Sequence, residues 1–255
     1  MEVTRETFPE LLKSILISIE EAEFVAIDCE YSGICIARSS SLQTPAERYL
    51  QTKEAAELFT VVQFGICPVK WISEKNEFQC SPYNFNISPT LFDRIKDRGL
   101  NRHYSNQAGS IDFLLQHGFD FNKQLTEGLY YLNEQEESLL LKYGTAQKTE
   151  LQHDLKAARG IRIVLEHISK TKKPIIGHNV FGDITRIYCN LMKGTLPDTL
   201  PDFCLRITNA FPTIIDTKYL ARREARLGIS DDTSLSRLAS WVDEHGLYVQ
   251  VTFDT

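Results

Sequence analysis

Four consecutive apolar residues, Phe24-Val25-Ala26-Ile27, run directly into Asp28-Cys29-Glu30. A run this short and this apolar is the pattern of a β-strand buried on both faces, and its abrupt end in acids puts that end at an opening in the fold. Side chains two apart on a strand leave the same side, so Asp28 and Glu30 point together. Paired carboxylates repel unless a cation offsets them, and hard oxygen ligands favour Mg²⁺ or Mn²⁺ over zinc. Taken alone, the pair also fits a strand end whose acids simply face water.

Around that strand the pattern alternates between helix and strand. Thr7-Phe8-Pro9-Glu10 has the form of a capping box, and Leu11, Leu12, Ile15, Leu16 and Ile19 follow at helical spacing, which predicts an amphipathic first helix. Residues 59–67 and 78–87 read as two further strands forming a hairpin-like sheet beside the first, with a loop around Ser39 to Pro45 between. Ser88-Pro89 and Ser110 look like helix N-caps, and Gly160 interrupts a helical stretch. Pro174-Ile175-Ile176-Gly177 and Thr213-Ile214-Ile215-Asp216 read as short buried strands. Ile184, Ile187, Tyr188 and Leu191 mark one helix face; Leu235, Leu238 and Val242 mark another. Tyr248 to Phe253 alternates like a strand.

At 255 residues and 42% hydrophobic content, one large α/β domain over residues 1–255 accommodates these elements. No run of about 18 apolar residues occurs and the N-terminus is charged, so neither a membrane segment nor a secretory signal is expected. The cysteines (Cys29, Cys35, Cys67, Cys80, Cys189, Cys204) form no close CxxC pair, which argues against zinc and for reduced, mostly buried thiols. A formal net charge of −6 argues against a nonspecific polyanion binder that works by bulk charge alone. It leaves room for a carboxylate-built metal site with a few cations along one groove.

A second acidic feature lies in Gly177-His178-Asn179-Val180-Phe181-Gly182-Asp183, where a short apolar segment leads through a polar turn into a helix. A carboxylate there is able to bridge metals with the strand pair, although an Asp in a first helical turn is also ordinary dipole chemistry. Enzymes that cut phosphodiesters use two such ions about 4 Å apart to activate a water and stabilise the leaving oxygen.

Several segments in order, Ala26 to Ile34, Ser110-Ile111-Asp112-Phe113 with Gly118 to Lys123, Gly177-His178-Asn179 with Asp183, and Ile215-Asp216-Thr217-Lys218, resemble successive motifs of the poly(A)-specific ribonucleases and their piRNA-trimming relatives. The match runs from residue 1 to about residue 240. It implies an RNase H-like fold, a mixed sheet flanked by helices, and 3′→5′ hydrolysis of RNA with two divalent ions, Mg²⁺ or Mn²⁺. By the resemblance Asp28, Glu30 and Asp183 are catalytic metal ligands. Tyr31 and Ile34 match positions that pack on the terminal nucleotides, and Ile111, Phe113, Lys218 and Leu235 match positions lining the nucleotide pocket. Such apolar and aromatic surfaces with a lysine suit a single-stranded RNA 3′ end; core packing serves Phe113 and Leu235 equally well. Asp216 matches a non-catalytic aspartate, for which a hydrogen-bonding role at the strand end is expected. The resemblance also implies a homodimer.

Two departures stand out. The family's third motif, a histidine with an aspartate five residues later, lies on a helix beyond the last strand; here the last histidine is His245 and only Asp254 follows. Either the sequence is part of a longer chain, or the protein lacks a general base and one ligand, which predicts weak activity. Larger relatives insert an RNA-binding domain between Tyr131 and Pro174. This chain instead has a short basic segment, about residues 138–173, carrying Lys142, Lys148, Lys156, Arg159, Arg162, Lys170, Lys172 and Lys173. That segment reads as a basic face toward RNA or, mixed with Glu150, Asp154 and Glu166, as a solvated surface.

The competing readings are an RNA-binding or scaffold protein that keeps the fold without turnover, and a DNA-directed exonuclease of the same fold. Cytoplasmic residence is expected, with the nucleus also open, since no dense basic run stands out.

Overall fold

The computed structural model describes residues 1–36, 42–91, 95, 100–143, 148–223, 232–246 and 249–254; the side chains of 143 and 148–153 also lie outside that description. Strand β2 (Phe24–Tyr31) is the centre of a mixed sheet. On one side it pairs antiparallel with β3 (Val61–Ile72), which pairs antiparallel with β5 (Tyr83–Asn86), and β1 (Glu2–Val3) lies parallel beside β5. On its other side β2 pairs parallel with β6 (Ile175–Gly177), and β6 pairs parallel with β7 (Ile214–Asp216). The far end of β3 turns back as β4 (Glu77–Cys80), which takes β8 (Val251–Phe253) as a parallel partner. This is the α/β mixed sheet expected from the sequence.

Alternation along β2 explains where the core sits. Val25, Ile27 and Cys29 are buried toward the helices, while Asp28 is exposed and Ala26 and Glu30 are half-buried on the opposite face. Helices α1 (Phe8–Glu21) and α7 (Arg162–Thr171) pack together against the core side, contributing Ile15, Ile19, Val164, Leu165 and Ile168. Helix α8 (Phe181–Arg186) continues into a π-helical segment, Ile187–Lys193, whose Ile187, Tyr188 and Leu191 enter the same core. The apolar face read from residues 184–191 is therefore real, carried by a helix of changing pitch.

Several local readings need correction. Thr7 does not form a capping box: its backbone is already helical and its hydroxyl bonds with Thr4. The capping box of this molecule is Thr44 with Glu47, opening a helix absent from the sequence reading, α2 (Pro45–Leu58). Its sequence is polar enough to hide the periodicity, since only Tyr49, Ala55 and Ala56 are buried. The loop expected around Ser39 to Pro45 lies partly outside the described residues. Residues 78–87 form two strands rather than one, because β4 and β5 turn apart after Cys80. Ser110 sits inside α3 (Ala108–Gln116), whose first cap is Gln107. Ser88 Oγ instead holds the Thr90 amide, and the helix it was expected to cap falls largely on residues 92–94 and 96–99, outside the described residues.

The basic segment is not a uniform face. It comprises α5 (Glu134–Tyr143), α6 (Lys148–Arg159) and α7, with Gly160 breaking α6 from α7 at φ +50°, where an added Cβ would meet the Tyr130 carbonyl at 1.9 Å. Arg162 is buried and binds Glu137 and the Leu132 carbonyl, and Arg159 Nη2 reaches Glu137 at 2.5 Å. Two of the proposed RNA-facing cations are thereby committed to an internal ion cluster. Of the six thiols, all free, Cys29, Cys80 and Cys189 are buried, Cys35 and Cys67 half-buried and Cys204 exposed. Among the described residues no helix is long and apolar enough to cross a membrane.

Candidate active site

The acids meet where three elements end. Asp28 and Glu30 occupy the last turn of the pleat of β2, and Asp183 lies in the first turn of α8, which follows β6 through the turn His178-Asn179-Val180. That turn requires a left-handed residue, Asn179 at φ +62°, and Asp216 at the end of β7 fixes it. Asp216 Oδ1 accepts from the Asn179 amide (3.0 Å) and Oδ2 from the Val180 amide (3.1 Å). Oδ1 also accepts from the amides of Lys218 (2.9 Å) and Tyr219 (3.2 Å), at the start of α10 (Thr217–Arg223). A carboxylate holding four amides is a structural brace, the role expected for it.

Asp28 and Asp183 line one cleft of about 340 Å³, with Tyr31, Ile34, Arg48 of α2 and His178 among its walls. Asp183 is buried, and its Oδ1 accepts a 2.5 Å hydrogen bond from Tyr31 Oη. Behind this bond Arg186, buried one turn further along α8, lies 4.2 Å over the Tyr31 ring and donates to the carbonyls of Gly33 (3.3 Å) and Ile34 (2.6 Å). These bonds tie the strand exit at residues 31–34 to the helix that carries Asp183. His178 Nδ1 pairs with Thr217 Oγ1 at 2.9 Å.

All three carboxylates resist ionisation. Burial, followed by repulsion from Asp28, pushes Asp183 up to about 6 against the pull of the Tyr31 hydroxyl. Burial raises Glu30, and the charges of Asp28 and Asp183 raise it further. Asp28 is reached by water, yet the cleft walls desolvate it enough to raise it, with the Cys29 amide and His178 opposing. Desolvated oxygen donors that repel one another are suited to a hard divalent cation, which removes both penalties. The convergence is incomplete: among the described residues no three His, Cys, Asp or Glu are arranged to hold a metal ion. The reason is visible in the bonding. Asp183 is turned to Tyr31 and Cys29, on the core side of β2, whereas Asp28 and Glu30 leave the opposite side, and Glu30 is not among the cleft's walls.

The remaining sequence-assigned residues divide. Tyr31 and Ile34 line the cleft, and Lys218 lines its immediate neighbour. Phe113 is exposed on α3, its ring 4.1 Å from that of His117, whose charge stabilises ionised Glu30; it stands on the Glu30 flank, outside the cleft. Ile111 is half-buried and lines neither cleft. Leu235 is 61% exposed on α11 (Leu235–Glu244), a helix with no buried residue, so its apolar face does not pack as read. Sequence reasoning missed Arg48, because it missed α2; the Thr44-Pro45-x-Glu47 signature was the available signal. It also missed Arg186, which the helical spacing of three from Asp183 places beside that acid.

A profile of the CAF1 family ribonucleases matches residues 3–150 and 142–248. The poly(A)-specific ribonuclease PARN of Xenopus laevis is 39% identical over 145 residues, covering 55% of this chain and 22% of that protein. The pre-piRNA 3′-exonuclease trimmer of Bombyx mori is 26% identical over 313 residues, covering 87% and 58%. The chain thus spans about a fifth of the length of the PARN proteins it matches. Among solved structures, Schizosaccharomyces pombe Pop2p in its Mg²⁺ and Mn²⁺ bound form aligns with a TM-score of 0.60 at 17% identity, covering 97% of this chain and 82% of that one. The RNase domain of yeast Pop2 aligns at 0.59 and 16%, covering 98% and 76%. These structural likenesses concern the fold.

Proposed function

The chain belongs to the CAF1 ribonuclease family, and from that premise we propose that it is a metal-dependent 3′→5′ exoribonuclease that trims single-stranded RNA ends, either poly(A) tails or small-RNA precursors. One observation carries the reading: a strand end and a distant helix start bring Asp28 and Asp183 into one cleft, with Glu30 two residues from Asp28 on the same strand. The relatives' names, a poly(A)-specific ribonuclease and a pre-piRNA trimmer, support the substrate class.

In this reading Asp28, Glu30 and Asp183 would hold Mg²⁺ or Mn²⁺, which when bound would supply activation of the attacking water and stabilisation of the leaving oxygen. Tyr31 and Ile34 face the terminal nucleotide, Phe113 offers a ring for stacking, and Lys218 offers charge to a phosphate; Ile111 and Leu235 line neither cleft. Tyr31 has a second task, holding Asp183 in one orientation until a cation competes for it. Two copies of the chain are expected to pair, as the family resemblance implies, and sedimentation at micromolar concentration reports this directly.

The test is a 5′-labelled RNA with a free 3′-hydroxyl, incubated with and without Mg²⁺. Stepwise shortening that disappears with Asp28→Ala supports the reading; intact RNA at high protein, with Asp28→Ala behaving identically, defeats it for this chain. The incomplete convergence of the acids favours one alternative, an RNA-binding protein of this family without turnover. That alternative predicts RNA binding, no shortening, and affinity indifferent to Mg²⁺.

A further inference from the structure

The cleft that contains Asp28 and Asp183 does not close at Phe181. Arg48, Asn179 and Phe181 form a wall shared with a second cleft of about 400 Å³, which runs between the start of α2 and the exposed side of α10. Three cations line it: Arg48, Lys218 and Arg222. Lys218 and Arg222 are four apart on α10 and so occupy one helix face, with Arg48 entering from α2 across the gap.

The charge balance of this cleft is unusual for a chain of net charge −6. Its one carboxylate, Asp216, is already engaged by four backbone amides. Among the described residues none of the three cations has an acidic partner within ion-pair distance; the ion pairs described there are made by other residues. Like charges gathered without a counter-charge repel one another, and an anionic ligand removes that penalty. Two rings accompany them. Tyr219 is 59% exposed on α10, and Phe181, packed edge-on against Phe203, shows its other side to both clefts. Alternating cations and ring faces in an open groove suit a flexible polyanion carrying flat bases.

We propose that this second cleft holds the RNA backbone next to the scissile phosphodiester, with Arg48 and Arg222 on phosphates and Tyr219 under a base. The proposal rests on the nuclease reading and adds residues that the family resemblance does not supply. Arg48 belongs to both clefts and therefore sets the register between the phosphate held in the groove and the one presented to Asp28 and Asp183.

The experiment is fluorescence anisotropy with a 5′-fluorescein single-stranded RNA of about twelve nucleotides, in EDTA so that no bond is cut, over a salt series. The double variant Arg48→Gln/Arg222→Gln is expected to bind at least about tenfold more weakly. Its slope of log K against log salt falls by about 1.4, because each phosphate contact on a single strand contributes about 0.7. Tyr219→Leu loses several-fold in affinity with its slope unchanged. Lys13→Gln, an exposed cation on α1, retains wild-type binding. Millimolar adenosine 5′-monophosphate leaves the RNA bound. If the wild type binds RNA and the double variant matches it in affinity and slope, the proposal fails while the nuclease reading stands. Full displacement by the mononucleotide also overturns it, in favour of a mononucleotide site. A wild type that binds no RNA overturns both.

Discussion

The hydroxyl of Tyr31, leaving the end of the central strand, donates a 2.5 Å hydrogen bond to Asp183 on the helix across the sheet. It orients an acid that burial alone would leave both uncharged and free to turn. The bond is backed by the buried Arg186 guanidinium on the Tyr31 ring, so strand exit, acid and helix behave as one unit. Tyr31→Phe keeps the ring for Arg186 and deletes only the donor. It is expected to cost about 1.5–3 kcal/mol in urea unfolding at pH 7.5, the range for a hydrogen bond to a charged group. No change in unfolding free energy would show the bond to be absent in solution.

The proton affinity of Asp183 sets a pH signature. Its carboxyl is raised from 3.8 to about 6, so in the metal-free protein its charge is a burden on folding above about pH 6. The folded state gains relative to the unfolded one as pH falls from 6 toward 4, and that gain is lost again on raising the pH. At about 1.4 kcal/mol per pKa unit the difference is on the order of 3 kcal/mol. Asp183→Asn, which retains an oxygen for the Tyr31 hydroxyl, should melt higher than wild type at pH 7.5, with the gap shrinking to about a third by pH 4.5, where the unfolded carboxyl still ionises. Parallel melting curves across that window contradict the assignment.

Divalent ions should act on the same burden with the opposite dependence. Addition of Mn²⁺ or Mg²⁺ at pH 7.5 raises the melting temperature of wild type, reaching about 2.7 kcal/mol at a hundredfold excess over Kd. Asp28→Ala abolishes the shift, and lowering the pH below about 6 weakens it as Asp183 protonates. Calorimetry showing equal stabilisation of wild type and Asp28→Ala would place the ion elsewhere.

Asp216 offers a test that separates scaffold from chemistry. Asp216→Ala leaves four amides without their carboxylate, some of which water satisfies, so a loss of about 1–3 kcal/mol in stability is expected. Because the Asn179 turn carries α8, Mn²⁺ affinity should fall with it even though Asp216 is not among the proposed ligands. A variant with wild-type stability but no metal-induced shift would instead make Asp216 a ligand.

Far from the site, Glu137 is held ionised by Arg159 and Arg162 against the penalty of its burial. Its folded carboxyl is lowered, so this stability is present above about pH 4.5 and lost as pH falls through the depressed value. Glu137→Gln removes one of the two carboxylates on the buried Arg162, Glu166 remaining at 2.9 Å, and is expected to cost about 1.5–3 kcal/mol at neutral pH. Chemical denaturation at pH 7 checks it, with a cost under about 1 kcal/mol as the contrary result.

The amino-acid order alone determined that Asp28 and Glu30 share one side of a buried strand, since a two-residue period leaves no alternative once Phe24 to Ile27 are buried. It also determined the short strands ending at Gly177 and Asp216, because apolar triplets beside turn residues have few other uses. It was silent on α2, whose polar surface carries little periodicity, and on Arg159 and Arg162, whose charge looks the same in sequence whether it faces water or Glu137. Those outcomes depend on which faces meet in three dimensions. So does the position of Asp183: its place in a first helical turn was legible, but its bond to Tyr31, its separation from the Glu30 side of the strand, and the Arg48 wall joining two clefts arise only from long-range packing of β2, α2 and α8.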